Sequence, residues 1–104
     1  MIARTWRCTA SEQGALDYLH HFDHAVVPEL QQISGYSGAY VLRREIKDGV
    51  ELTVMTFWES MAAIREFAGN PPNIAVVAPA AQAVLRTFET TVEHAELVRD
   101  QRHA

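Results

Sequence analysis

Residues 36–58 read YSGAYVLRREIKDGVELTVMTFW, and this stretch decides the fold. An Asp48-Gly49 pair stands between two runs that are rich in β-branched and aromatic residues. Asp-Gly accepts the positive φ that a tight hairpin turn requires. The stretch therefore predicts an antiparallel pair of strands over 36–46 and 50–58, joined by a turn at 47–49.

Both faces of the second strand of this hairpin are apolar. A half-exposed antiparallel strand normally alternates between apolar and polar residues. Here one face would carry Leu52, Val54, Thr56 and Trp58, and the other would carry Thr53, Met55 and Phe57. The first strand is similar, with Tyr36, Tyr40 and Leu42 predicted on one side and Ala39 and Val41 on the other. The sequence thus predicts a sheet that is covered on both faces.

The flanking sequence supplies two more strands and two helices. Residues 2–9 predict a strand, and residues 84–98 predict a second one from their alternation. Apolar residues recur at intervals of three and four over 12–33, which indicates a helix that is kinked or broken at Pro28; they are Leu16, Leu19, Phe22, Val26, Leu30 and Ile33. Ser60 is a suitable cap for a short helix over 61–68, and the Ala-rich 74–83 segment predicts a short helix interrupted at Pro79.

The predicted order is β-α-β-β-α-β, the ferredoxin-like α+β arrangement of a four-stranded antiparallel sheet with two helices on one face. Two helices cover only one face, and an exposed apolar face usually marks an interface. We therefore predict a homodimer in which a second copy covers the other face. The alternative is that the chain's own 70–83 segment folds over it.

Composition limits the class of protein. The 104 residues suffice for one domain, predicted over 1–98, followed by a polar tail over 99–104. The net charge of −4 argues against a nucleic-acid partner, and no apolar run approaches the length of a membrane span. The lone Cys8 and the absence of a leader-like apolar run are the basis for expecting a cytoplasmic protein.

Two stretches of the chain carry a family resemblance. One is Pro28-Glu29-Leu30 followed by Ile33-Ser34-Gly35-Tyr36-Ser37-Gly38-Ala39-Tyr40, and the other is Val54-Met55-Thr56-Phe57-Trp58-Glu59-Ser60 followed by Ala63-Ile64-Arg65-Glu66-Phe67. Both stretches resemble the antibiotic biosynthesis monooxygenase family. The closing Val92-Glu93-His94 is similar to the end of the family's last strand. The resemblance implies a dimeric α+β barrel in which each subunit has a ligand cavity between its sheet and its helices.

Haem-degrading relatives differ from this chain at their characteristic positions. They carry an Asn on the first strand, a Trp on the second helix and a His beyond that Trp. Here the first strand has no Asn, Phe67 replaces the Trp, and the expected His falls near Val77. The sequence therefore predicts no haem degradation.

The candidate catalytic residues are His94, Tyr40 and Arg7. His94 is the only His on a predicted strand, and a near-neutral imidazole is a natural base for a hydroquinone. Tyr40 is a possible hydrogen-bond donor to a bound carbonyl, and Arg7 is a possible partner of a phenolate. For each, a structural or interface role is the alternative.

The candidate substrate-binding residues are the aromatic Trp58, Phe67 and Trp6. Each of these side chains either packs its flat ring against a bound aromatic substrate or, alternatively, is an ordinary core residue. Arg4 shares the Trp6 face of the first strand, and the sequence does not say which face meets the cavity. His20 and His24 lie one helical turn apart, but a solvated helix face explains them better than a metal site.

The resemblance implies a small monooxygenase that needs no cofactor or metal and acts on an aromatic phenol or hydroquinone. An electron-rich phenol, once deprotonated, passes an electron to O₂ itself. The protein then supplies a base or a hydrogen-bond donor, a pocket with little water, and the correct placement of the substrate. Two alternatives remain open: a non-enzymatic small-ligand-binding or structural homodimer, and a different enzyme on the same barrel.

Overall fold

The computed structural model describes residues 1–102 as one antiparallel sheet with helices packed on one face. The strands are β1 (Ile2–Ala10), β2 (Tyr36–Ile46), β3 (Gly49–Trp58), β4 (Thr87–Phe88) and β5 (Glu93–Glu96). The helices are α1 (Glu12–His21), α2 (Val27–Gln31), α3 (Met61–Ala68) and α4 (Pro79–Gln82). The sheet order is β2-β3-β1-β4, and β5 also pairs with β1. The predicted ferredoxin-like α+β fold is confirmed.

The β2–β3 hairpin forms as predicted, with one difference in its faces. Asp48 takes a φ of 63° in the turn. A bulge at the start of β2 pairs Tyr36 with Trp58 but Gly38 with Phe57. The extra residue moves Tyr36 to the helix side of the sheet, while Tyr40 stays on the outer side. The prediction that Tyr36 and Tyr40 share a face was therefore wrong.

The last predicted strand is split into two short strands. Residues 84–98 were expected to form one strand, but the chain leaves β1 between β4 and β5. There it pairs with the loop after α3: Ala75 N donates to Thr90 O at 2.9 Å, and Val92 N donates to Asn73 O at 2.8 Å. The loop supplies the hydrogen-bond partners that β1 would otherwise provide for residues 90 and 92. As a result, the sheet has five strands rather than the four predicted.

The long helix continues through the predicted break. Between α1 and α2 lies a π-helical segment, Phe22–Val26, and Pro28 follows it in the first turn of α2. Pro28 lacks an N–H, so the helix has one bond fewer to make at this point. The buried face consists of Ala15, Tyr18, Phe22 and Leu30. Leu16, predicted on this face, is 58% exposed, because the turn from β1 directs Ala15 and Tyr18 inward instead.

The core lies between the helices and the inner face of the sheet. Its buried strand residues alternate along β1 and β3, and include Trp6, Cys8, Leu52, Val54 and Trp58. On the outer face Met55 and Phe57 are half-buried, and Tyr40 and Leu42 are exposed. The predicted second copy on this face stays a prediction.

The C-terminal end crosses the edge of the outer face. Leu97 N donates to Met1 O at 2.8 Å, and the Arg102 guanidinium lies 5.3 Å from the centre of the Tyr40 ring. Residues 99–102 form neither helix nor strand. The end of the predicted tail, residues 103 and 104, lies outside the described residues. Within residues 1–102 no helix is long and apolar enough to cross a membrane.

Candidate functional site

A cavity of about 140 Å³ lies between the inner face of the sheet and the helical layer. The sheet contributes Trp6 and Val54, and the long helix contributes Tyr18 and Phe22. The loop before α4, residues 75–78, closes a third side. Most of the wall is apolar, so the part of a bound molecule that enters the cavity contacts apolar side chains.

Arg4 is the cation in this apolar wall. It is only 5% exposed, although an Arg side chain is seldom buried unless it is paired. Its Nη1 donates to Pro72 O at 2.5 Å, and its Nη2 donates to Ile74 O at 3.0 Å. Loss of hydration lowers the pKa of Arg4 to about 10, and the group remains cationic at neutral pH.

His94 lies on β5 opposite Arg4 and bonds directly to it. Arg4 Nη1 and His94 Nε2 are 3.0 Å apart. A guanidinium has only donors, so Nε2 must be the acceptor and the ring proton of neutral His94 must be on Nδ1. Burial, and then the positive charge of Arg4, lower the pKa of His94. The Nε2 lone pair that a general base would use is therefore occupied.

Trp58 and Phe67 support the guanidinium from one side. Trp58 is fully buried, donates Nε1–H to Thr56 Oγ1 at 2.8 Å, and stacks on Phe67 with ring centres 5.9 Å apart. The Arg4 guanidinium lies 5.8 Å from the centre of the Phe67 ring. Phe67 lines the cavity, whereas Trp58 lies behind it. Trp58 therefore supports the cavity wall through Phe67 and does not itself line the cavity.

Trp6 presents its ring to the cavity and its nitrogen to the backbone. Nε1 donates to Glu89 O at 2.7 Å, next to the break between β4 and β5. The ring centre is 5.8 Å from that of Tyr18. This hydrogen bond fixes the indole as one wall of the cavity.

The structure places Arg7 and Tyr40 on the other face of the sheet. Arg7 forms an exposed ion pair with Glu93, with 3.5 Å between Nη1 and Oε1. Tyr40 is 42% exposed and packs edge-on against Phe57. Neither residue lines the cavity between the sheet and the helices.

The other residues considered as candidates are the histidines of the long helix and Cys8. His20 and His24 stack with ring centres 4.1 Å apart on an exposed helix face, whereas His21 lines the cavity. Among residues 1–102 no group of three or more His, Cys, Asp or Glu side chains is arranged to hold a metal ion. Burial, and then the Glu51 carboxylate, raise the pKa of Cys8 to about 12.

Sequence reasoning did not select Arg4, although β1 contains a signal for it. Trp6, Cys8 and Ala10 alternate with Thr5, Arg7 and Thr9. The apolar set must face the core, and Arg4 has the same parity. A charged residue on a buried face is the unusual observation that marks a site.

Acidification is expected to destabilise the chain through His94. Its native pKa lies below the ordinary 6.5, so the unfolded chain binds the proton first as the pH falls. The contribution of neutral His94 to stability is complete above the unfolded pKa and is lost progressively below it. His94→Gln keeps an acceptor and removes the titration. Between about pH 8 and about pH 5 its melting temperature should fall less than that of the wild type; equal losses would contradict this assignment.

Comparison with known proteins identifies the family. The family model described as antibiotic biosynthesis monooxygenase matches residues 1–79. A candidate antibiotic biosynthesis monooxygenase from Bacillus cereus has the same fold, with 21% identity, a TM-score of 0.58, and coverage of 99% of this chain and 95% of that one. SnoaB, a cofactor-independent oxygenase from Streptomyces nogalater, gives 20% identity, a TM-score of 0.59, and coverage of 97% and 94%.

No curated protein matches the chain. The two solved structures support the fold alone, because their identity to this chain is low. The family model spans more than half of the sequence. The chain therefore belongs to the antibiotic biosynthesis monooxygenase family.

Proposed function

We propose that this protein is a monooxygenase that acts, without a cofactor, on an aromatic phenol or hydroquinone bound in the cavity. One observation carries the proposal: an apolar cavity that is open on one side contains a buried guanidinium that is held by neutral acceptors. Such a cation stabilises a phenolate far better than water-exposed Arg does, because the surroundings screen it less. The phenolate is the form that reacts with O₂.

The reaction is balanced without a reductant. The phenolate passes one electron to O₂, and superoxide then combines with the phenoxyl radical at a ring carbon that carries hydrogen. Protonation gives a hydroperoxide. Loss of the carbon-bound proton breaks the O–O bond and leaves a carbonyl oxygen on the ring and one water. A phenol thus becomes a quinone, and a hydroquinone becomes a hydroxyquinone.

The proposed roles follow the position of each side chain. Arg4 binds the phenolate oxygen, Trp6 and Phe67 contact the ring, and Trp58 supports Phe67. His94 is a positioning residue for Arg4, since its Nε2 already accepts a bond from that side chain. Its predicted role as a base requires that bond to open.

Two variants of His94 separate these roles. Gln offers an acceptor oxygen to Arg4 but cannot act as a base, whereas Ala offers neither. If His94 positions Arg4, His94→Gln keeps most of the oxygen consumption and His94→Ala loses it. If His94 is the base, both variants lose about 10²-fold or more. Initial rates across a pH series, with thermal melts as the folding control, provide the measurement.

Arg7 and Tyr40 are assigned by this proposal to a dimer interface. Tyr40, Leu42, Met55 and Phe57 leave apolar surface on the outer face of the sheet. A second copy placed face to face would cover it. Light scattering at micromolar concentration should give about twice the 11.7 kDa mass of one chain. A stable mass of one chain would refute the dimer.

The enzymatic proposal has a direct test. Protein treated with a chelator and stripped of small molecules should consume O₂ when it is given simple phenols or hydroquinones, with no flavin or nicotinamide added. Under ¹⁸O₂ the quinone product should carry one labelled oxygen and the water the other. Turnover that requires an added metal or flavin would contradict the cofactor-independent mechanism.

A non-enzymatic ligand-binding dimer is the second candidate. One observation favours this candidate: His94 Nε2 already accepts a hydrogen bond from Arg4. The imidazole therefore has no free lone pair at Nε2 with which to act as a base. This candidate predicts that phenols bind in the cavity and are recovered unchanged. Binding without oxygen consumption across a broad panel of phenols would favour it over the monooxygenase.

A further inference from the structure

The Arg4 guanidinium has no counter-ion in the part of the chain that the structure describes. No carboxylate lies within 4.0 Å of it among residues 1–102; the ion pairs found there all involve other arginines. Burying a charge is costly unless it is paired. The two carbonyls and His94 offset part of that cost, but they supply no negative charge. An anion that enters the cavity would supply it.

Arg4 also has donors left to offer. A guanidinium carries five N–H groups. Nη1 makes two of the bonds described above and Nη2 makes one, so Nε–H and one Nη2–H make no hydrogen bond to the protein within residues 1–102. Two donors on one planar group suit an oxygen anion at the cavity wall.

The other charged or titratable groups around the cavity do not neutralise Arg4. His94 faces it from β5, Tyr18 and His21 line the cavity from α1, and Glu29 lines it from α2. The Glu29 side chain is exposed and makes no ion pair with Arg4. The positive charge of Arg4 is therefore not neutralised by an ion pair with any residue from 1 to 102.

The size of the cavity limits what such an anion can be. About 140 Å³ is close to the roughly 150 Å³ of an engineered apolar cavity that binds benzene. One aromatic ring fills this space. Three fused rings exceed this volume, so they would extend out of the open side of the cavity or displace the 75–78 loop.

We infer that the cavity selects a single-ring aromatic hydroxy compound and binds it as the phenolate monoanion, with its oxygen on Arg4. The hydroxyl proton passes to bulk water on binding. This inference takes the location of the site from the proposed function, but it concerns binding and ionisation, and neither requires turnover.

Binding of para-nitrophenol tests the inference optically, because its anion is yellow and its neutral form is not. The titration is done at a pH at which the free ligand is mostly neutral. Wild-type protein should produce the yellow anion, and Arg4→Met should not. An acid next to Arg⁺ has its pKa lowered by about 1 to 3, so the bound ligand should ionise at least about tenfold more in the wild type. Arg65→Met, which alters an exposed arginine on α3, is the matched control.

Size and charge are tested separately with two further ligands. Para-nitroanisole has the shape of the phenol but cannot ionise, and it should bind more weakly to the wild type and equally to Arg4→Met. A hydroxyanthraquinone, with three fused rings, should bind more weakly than the single-ring phenol. Equal affinity for the three-ring compound would overturn the size limit.

Arg4 also ties the 72–74 loop, so the thermal melt of Arg4→Met is measured first. If that variant is unfolded, Arg4→Lys and Ala78→Trp replace it. Lys keeps the charge and should keep the yellow anion. Trp at the exposed rim position 78 should block the cavity without touching Arg4, so anion formation should disappear. Persistence of the anion in Ala78→Trp would overturn the assignment.

The inference and the proposed function fail in different ways. Yellow anion without oxygen consumption supports the inference and counts against the monooxygenase. Oxygen consumption with ring compounds of any size, unchanged in Arg4→Met, supports the monooxygenase and overturns the inference.

Discussion

Replacing Arg4 with Met should lower oxygen consumption by about 10² to 10³-fold, the range observed when one preorganised donor to an oxyanion is removed. The physical reason is that the ring must lose its hydroxyl proton before it reduces O₂, and Met offers no positive charge to hold the anion. Initial rates with a single-ring hydroquinone provide the measurement, with Arg65→Met as the control.

The pH dependence gives this variant a second readout. In Arg4→Met the substrate must ionise as it does in water, so the rate should recover in part as the pH rises towards the ordinary pKa of a phenol, near 10. A merely unfolded variant would show no such recovery. A rate equal to that of the wild type at neutral pH would remove Arg4 from the mechanism.

Replacing Trp58 with Ala should lower the free energy of unfolding by about 3 to 5 kcal/mol, as large-to-small changes of aromatic core residues do. Trp58 is fully buried, stacks on Phe67 and donates a hydrogen bond to Thr56, so the change removes packing and leaves the hydroxyl with one partner fewer. The loss is a large part of the 5–15 kcal/mol that typically stabilises a domain.

Denaturant unfolding measures this loss, and Leu16→Ala is the control. Leu16 is 58% exposed on α1, so its truncation should change the unfolding free energy by no more than about 0.5 kcal/mol. Similar losses in the two variants would show that Trp58 is not the centre of its cluster. The oxygen consumption of Trp58→Ala, measured well below its melting temperature, should fall because Phe67 loses its support.

The hairpin and the order of the elements were predictable because their signals are local. Asp48-Gly49 specifies a turn, and Ser60 caps α3 by accepting from Ala63 N at 3.1 Å. The split of the last strand was not predictable in this way. It depends on hydrogen bonds between residues 90–92 and the distant loop at 73–75, and these leave no periodic trace in either segment.

The candidate site was predicted in part. Trp6 and Phe67 do line the cavity, but Arg7 and Tyr40 lie on the opposite face. In β1 the apolar alternation of Trp6, Cys8 and Ala10 marks the inner face and so places Arg7 outside. In the β2–β3 hairpin both faces are apolar, so only the packing partner shows that Tyr40 lies outside. The contact of Arg4 with His94 joins residues 90 positions apart in the chain, so no spacing rule could have identified it.

The π-helical segment Phe22–Val26 lets the long helix carry one extra residue without losing the register of its buried face. Phe22 and Leu30 are eight residues apart, a separation that in a regular α-helix of 3.6 residues per turn would place them about 80° apart. The wide turn takes up one residue and brings both onto the buried face. A one-residue deletion there would leave Phe22 and the leucine seven residues apart in a regular helix, about 20° from each other, so both would stay on the buried face. Relatives that lack this extra residue would therefore present the same apolar face to the cavity with a helix that is one residue shorter.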